Sequence, residues 1–347
     1  MATQGTPGRL FVNFDVIETV VPRHWRRARE RRIPASPMST SVPITNLLQS
    51  CAALLEPAPP TQDLLEVTRA FVLDVAGRDS IPHSILAAFD DLPPHGAAWL
   101  AVSLGSAVEK GLDPSLAGDR LLQVFRSWLE RTKDGQDPER VAALPTLCQA
   151  LVAHLSRLDS LRSMLAADAP FLAELEKRES MSHGITWIRE LIARRSGDLF
   201  VVHGETQRVV HLAFRNVHRC YHLFSLVQSV LGSAFPGGRI PNAAVASAAR
   251  GQSEEPVTDH GWWHYQRSGA KPSMKKAVWG EESVDVLLRP DGARVLILWE
   301  PLLGDRKWNS GFFGPTLEAA MPDMRFLAEL SPEAATPWIA AMESPLS

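Results

Sequence analysis

The segment His211-Leu-Ala-Phe-Arg215-Asn216-Val-His218-Arg-Cys-Tyr-His222 gathers three imidazoles, a guanidinium and an amide into one short run. At 100° per residue, a helix over residues 211–232 brings His211, His218 and His222 within about 40° of one another. Arg215, Ser225 and Ser229 share that stripe, while Val217, Leu223, Phe224, Val227 and Val230 lie mostly on the other side. An imidazole moves protons near neutral pH, and a guanidinium holds phosphate or carboxylate. Three readings of the stripe stand side by side. It is a polar surface or inter-domain face, a metal grip by His218 and His222 at i and i+4, or a site for acid/base work on a phosphate. A zincin needs glutamate directly after the first histidine, and Arg219 stands there instead. That cation also opposes a metal ion, so the expected set of metal ligands and cofactors is none.

The run Arg215-Asn216-Val-His-Arg-Cys-Tyr-His222 resembles the R-x(4–6)-H signature of the HEPN superfamily, in which a polar residue, often Asn, follows the arginine. Members of that superfamily are α-helical, commonly dimeric, and often metal-independent ribonucleases. The resemblance covers these residues alone. It implies that Arg215 and His222 form a catalytic pair with Asn216 as the polar follower, His222 moving protons and Arg215 steadying the phosphate.

A second candidate is His260-Gly-Trp262-Trp263-His264-Tyr265-Gln-Arg267-Ser-Gly-Ala-Lys271-Pro-Ser-Met-Lys275-Lys276. Three adjacent aromatics and four cations (Arg267, Lys271, Lys275, Lys276) occur there, with no carboxylate before Gly280. Aromatic faces beside cations suit stacked bases held by their phosphates. The competing reading is that Trp262 and Trp263 plug a small core with the lysines solvated around them. Asp285 and Glu300 are reminiscent of a metal-dependent nuclease pair, but position 302 is Leu where lysine is expected. The chain contains no GxxxxGK[ST], GxSxG or GxGxxG, and no PCxxC follows His203-Gly-Glu205.

Composition sets the outer limits. The 347 residues are 45% hydrophobic and 22% charged, which excludes a wholly disordered chain, a collagen-like fibre and a multi-span membrane protein. A net charge of −3 gives no global field for DNA or acidic membrane. Cys51, Cys148 and Cys220 lie far apart without a CxxC, so the expected setting is a reducing, cytoplasmic one. Six of the 11 histidines fall between residues 203 and 264, and six of the ten tryptophans fall after residue 260.

The elements that must carry these residues follow from the pattern. Residues 1–37 hold a strand-like stretch, Leu10 to Val21, and then an arginine cluster. They read either as a basic arm for nucleic acid or lipid head groups, or as a mis-called extension preceding a true start at Met38. Residues 38–196 are helical almost throughout, with apolar residues at three- and four-residue spacing. Thr61 and Asp137 stand as caps, and Gly77 as a terminator. Residues 197–347 read as an α+β part: strands 198–203 and 208–214 around a turn, and a helix over 216–231. A hairpin over 284–299 turns at Arg289-Pro-Asp-Gly-Ala293, and a last helix spans Thr316 to Leu330.

The fold class expected is therefore mainly α with a smaller α+β part. An N-terminal helical bundle or irregular α-solenoid is followed by an α+β module with two β-hairpins. The functional expectation is a non-catalytic cytosolic interaction or accessory protein. It presents a His/Arg helix (His211, His218) and a Trp/Lys-rich loop to a protein partner, with no membrane involved. The alternative is an RNA-binding or metal-independent RNA-cleaving protein that uses Arg215 and His222 on single-stranded RNA.

Overall fold

The computed structural model describes residues 41–57, 59–133, 136–253, 257–310 and 317–343. The basic arm at 1–37, and the start expected for the last helix at Thr316, lie outside these residues. Among the described residues the chain is mostly α-helical, with twelve α-helices, a five-stranded mixed sheet and a two-stranded sheet. It divides into two compact units: residues 41–158 with 178–185, and residues 159–177 with 186–343.

The first unit is helical. Its elements are α1 (Val42–Ala52), α2 (Gln62–Val75), α3 (His83–Ala87), α4 (Pro94–Glu109), α5 (Ser115–Arg131) and α6 (Pro138–Leu155). The expected caps form: the Leu64 amide donates to Thr61 Oγ1, and the Arg140 amide to Asp137 Oδ1. Helix α4 is buried on every side from Gly96 to Val108, as an all-round apolar helix must be. Small residues let neighbours approach it closely. A Cβ placed on Gly105 would sit 3.2 Å from Ala150 Cα on α6.

His154 on α6 is fully buried, its Nδ1 lying 2.9 Å from the Ala150 carbonyl, and its Nε2 has no partner. Burial pushes its pKa down to about 4, so the folded chain holds it neutral. The unfolded chain protonates the same imidazole near its ordinary value, so stability is lost as pH falls from that value towards 4. Lowering the pH from 7 to 5 should cost the wild type about 2 kcal/mol through this group alone. In His154→Leu, denaturant unfolding at the two pH values should show a fall smaller by about that amount.

In the second unit, α7 (Asp159–Ala166), α8 (Ala169–Lys177) and the end of α9 (His183–Ala193) join a layered α/β arrangement. The sheet runs β4-β5-β1-β2-β7, with β1 (Arg195–His203), β2 (Arg208–Val217), β4 (His264–Gln266), β5 (Arg294–Trp299) and β7 (Asp323–Glu329). Only the β1–β5 pairing is parallel. The strands alternate cleanly. Leu199, Val201, Val210, Leu212, Phe214, Leu296 and Leu298 face one layer, which contains Leu223, Phe224 and Val227 of α10 (Cys220–Leu231). Val202, Val209, Val295 and Ile297 face the other, covered by Ala335, Trp338 and Met342 of α12 (Pro332–Glu343). Helix α11 (Ala243–Ala249) and a ribbon of β3 (Thr258–His260) with β6 (Lys307–Asn309) complete the unit.

Two expected elements differ. The arm 284–288 is not a strand, because Val284–Leu287 forms a 3-10 turn. There Asp285 is drawn into ion pairs with Arg195 and Arg294, and Ser283 Oγ accepts the Asp285 amide. The turn at Arg289–Ala293 does form, with Gly292 at φ +85°, yet beyond a single Leu288–Arg294 bridge β5 pairs with β1 and β4 rather than with that arm. The last helix is also displaced. Residues 323–329 are strand β7, zipped onto β2, and the helix follows at Pro332.

Candidate functional site

The His/Arg stripe does not lie on one helix. β2 runs on to Val217, paired with β7 as far as Arg215 and with β1 to its end, and α10 begins only at Cys220. His211 is therefore a strand residue, stacked at 4.5 Å on Phe200. Its Nε2 lies 3.0 Å from Asp198 Oδ1 but without hydrogen-bond geometry. Arg215 is exposed on β2, one position on from Phe214 and so on the sheet face away from α10. His222 is buried in the first turn of α10. The expected Arg215/His222 pair is thus not assembled, because the strand-to-helix junction interrupts the 3.6-residue period.

Asn216 marks that junction. Its φ is +56°, a left-handed conformation that Asn tolerates better than most residues. Its Nδ2 donates to the Ala319 carbonyl at 2.7 Å and to the Met321 carbonyl at 3.1 Å, and its Oδ1 accepts Arg162 Nη1 at 3.0 Å. It clamps three segments together.

What the junction does create is a pocket of about 210 Å³, lined by Glu190, Arg194, Asn216, His218, Arg219, Tyr221, His222 and Glu281. His218 Nδ1 lies 2.9 Å from Glu190 Oε2. Burial raises the Glu190 carboxyl, but the hydrogen bond and charge of His218, with Arg219 and Arg194 nearby, outweigh it and leave the group below the usual carboxylate range. Arg194 is buried and pulled down to about 9 by desolvation, so it stays cationic at neutral pH. Burial, then the Glu190 charge, pushes the Tyr221 phenol up.

Segment 279–284 forms one wall. The Cys220 and Tyr221 amides, unpaired donors at a helix start, donate to the Glu282 and Gly280 carbonyls. The Val284 amide donates to the His218 carbonyl, and Arg219 Nη1 to the Glu281 carbonyl at 2.7 Å. Gly280 is required here, since a Cβ on it would sit 2.8 Å from Tyr221 Cβ. Next to this wall Trp279 is 43% exposed, with the Arg306 guanidinium 5.1 Å from its ring centre.

The Trp/Lys segment divides by burial. Trp262, Trp263, His264 and Tyr265 are all in the core, so none offers a free face for a base. Trp263 Nε1 donates to the Pro236 carbonyl at 2.7 Å, and the Tyr265 ring stacks on Phe224 at 3.8 Å. His264 Nε2 lies 3.2 Å from the Ser273 carbonyl. Lys271, Lys275 and Lys276 are exposed and Arg267 half-buried. The loop that carries them is built around the buried Gln266, whose Oε1 accepts the Ser273 amide and whose Nε2 donates to the Lys271 carbonyl. The bland core reading of the aromatics is the structural one.

The groups not anticipated are Glu190, Arg194, Trp279 and Arg162. The Arg194-Arg195 doublet was the visible signal for one of them. Among the described residues no group of three or more His, Cys, Asp or Glu could hold a metal ion. All three cysteines are free and buried, and burial pushes the Cys51 thiol up to about 12 and the other two higher. Among those residues no single helix is long and apolar enough to cross a membrane. No protein-family model, no curated protein and no solved structure matches this chain.

Proposed function

We propose that the protein is a non-catalytic interaction protein of the cytoplasm, in which a helical bundle serves as scaffold and the C-terminal unit recognises a protein partner. The contact surface is the pocket around His218 together with its rim. The observation that carries this reading is the exposed Trp279, braced by Arg306 beside the wall that accepts hydrogen bonds from Arg219 and the Tyr221 amide. Trp, Tyr and Arg are the residue types that dominate protein–protein hot spots, and an indole held by a cation in the free chain is pre-organised for contact.

The pocket's chemistry supports binding over catalysis. The His218/Glu190 pair could accept a proton, but no serine, threonine or cysteine lines the pocket to be activated by it. The lining mixes cations with Glu190 and Glu281, which suits a polar segment carrying both donors and acceptors. The Trp262, Trp263 and Tyr265 rings expected to stack RNA bases are occupied by the core.

Trp279→Ala lies at an exposed position and should leave the fold intact. Affinity capture with the full chain should recover a stoichiometric protein partner. The Trp279→Ala variant should bind that partner about tenfold or more weakly. Single-stranded RNA incubated with the wild type in EDTA should remain uncut. RNA cleavage that disappears in His222→Ala, or partner binding indifferent to Trp279→Ala, would sink the reading.

A further inference from the structure

A second pocket, of about 260 Å³, lies between α10, the loop before α11 and strand β3. It shares no lining residue with the pocket around His218. In its wall stands Asp259, a carboxylate only 5% exposed, held by a network whose polarity is fixed. Gln228 Oε1 accepts the Trp262 amide at 3.0 Å, and a backbone amide can only donate. Gln228 Nε2 is thereby turned to Asp259, 3.2 Å from Oδ1 and 3.1 Å from Oδ2. Ser225 Oγ accepts the Trp308 indole at 2.8 Å and gives its own proton to Asp259 Oδ2 at 2.6 Å. The His260 amide donates to Oδ1 at 2.8 Å. Burial raises the Asp259 carboxyl, and these neutral donors act against the rise. Donors on both oxygens are the surroundings of an anion; an acid proton would need an acceptor.

Among the described residues no ion pair reaches that anion. The His260 imidazole acts on it only from a distance, its Nδ1 being engaged by Asp305 Oδ1 at 2.7 Å. Arg239 lines the same pocket, exposed and without an ion pair to a described residue. It follows a tightly closed loop, since a Cβ on Gly238 would sit 2.1 Å from the Gly232 carbonyl oxygen. The pocket thus carries one anion and one cation that do not pair with each other. Asn242 Oδ1 accepts the Ala244 amide, which leaves its Nδ2 to donate. Ser229 Oγ donates to the Leu226 carbonyl and keeps its lone pairs for a donor. Ile240, Pro241, Val245 and Trp262 make the remaining wall apolar. A matching ligand offers an ammonium to Asp259 and Ser229, a carboxylate to Arg239 and Asn242, and a compact apolar body. The volume is below the roughly 300–1,000 Å³ typical of drug-sized ligands, which suits a single amino acid.

We propose that the pocket of Asp259, Arg239 and Asn242 binds the zwitterionic head of a free α-amino acid with an apolar side chain. This inference does not depend on the partner surface at Trp279, since the two pockets have no residue in common.

The test is isothermal titration of the full chain with three probes. They are L-leucine, L-leucinamide, which lacks the carboxylate, and 4-methylpentanoate, which lacks the ammonium. The expected result is saturable one-to-one binding of L-leucine. Each of the other two should bind about tenfold or more weakly, having lost one charge-assisted contact. Arg239→Gln, at an exposed position, should weaken L-leucine by about tenfold or more and leave L-leucinamide as in the wild type. Circular dichroism of the variant should be unchanged, and its capture of the protein partner should match the wild type. The proposal is overturned if L-leucine gives no saturable binding at millimolar concentration, or if L-leucinamide binds as tightly as L-leucine. Undiminished L-leucine binding by Arg239→Gln would also overturn it.

Discussion

Trp263→Ala is expected to destabilise the protein by about 3–5 kcal/mol, among the largest effects available to a single substitution. The indole is 1% exposed, lies edge-on to Trp262 at 5.5 Å, and donates to the Pro236 carbonyl. Gly237 approaches it so closely that a Cβ there would sit 3.1 Å from Trp263 Nε1. Truncation removes a large apolar body from the layer between α10 and the sheet together with its hydrogen bond to the Pro236 carbonyl. Trp263→Phe keeps most of the packing but not the hydrogen bond, so its cost should be about 1–2 kcal/mol. Denaturant unfolding of the full chain measures both. A stacking platform behaves in the opposite way: truncation would leave stability untouched and weaken RNA binding instead.

Asn216→Ala should cost about 3 kcal/mol, although only one small side chain changes. Two carbonyls, Ala319 and Met321, lose their donor, and the buried Arg162 loses an acceptor. The new residue must also hold φ at +56° without the local hydrogen bonding that lets Asn do so. Asn216→Gly forfeits the same hydrogen bonds but adopts the left-handed conformation freely, so it should be about 1 kcal/mol less damaging than alanine. Equal losses for Gly and Ala would mean that the backbone conformation contributes nothing. A catalytic follower of Arg215 would show loss of activity with stability intact.

The helical half was legible because its signals are local. Apolar spacing, Thr61 and Asp137 as caps and Gly77 as terminator all act within one turn of chain, and each forms as read. The β1–β2 hairpin was legible for the same reason: the Gly204–Gln207 turn closes with the Gln207 amide on the His203 carbonyl. Pairings set by distant residues were not. β5 joins β1 in parallel, and β7 pairs with β2 across a hundred residues of chain, so neither leaves a mark in its own neighbourhood.

The candidate site was half visible. His218, His222 and Asn216 do meet in one pocket, as their clustering suggested. The helical arithmetic that joined His211 and Arg215 to them assumed one period across a junction where the chain changes from period two to 3.6. The remaining groups, Glu190 and Arg194 at the end of α9 and Trp279 far along the chain, come from segments remote from residues 216–222, and nothing in their own surroundings assigns them to a common site. In the Trp/Lys segment composition left both readings open. Aromatics beside cations describe a stacking surface and a core with a solvated rim equally well, and only burial separates the two.

The central claim is that the His218 pocket and Trp279 form the surface on which a protein partner sits. Hydrogen exchange of the full chain, with and without the partner lost in Trp279→Ala, tests this most directly. The account predicts new protection concentrated in residues 186–194, 216–222 and 279–284. Protection confined to the Lys271–Lys276 loop or to the helical unit, with these three segments exchanging as in the free chain, would contradict it.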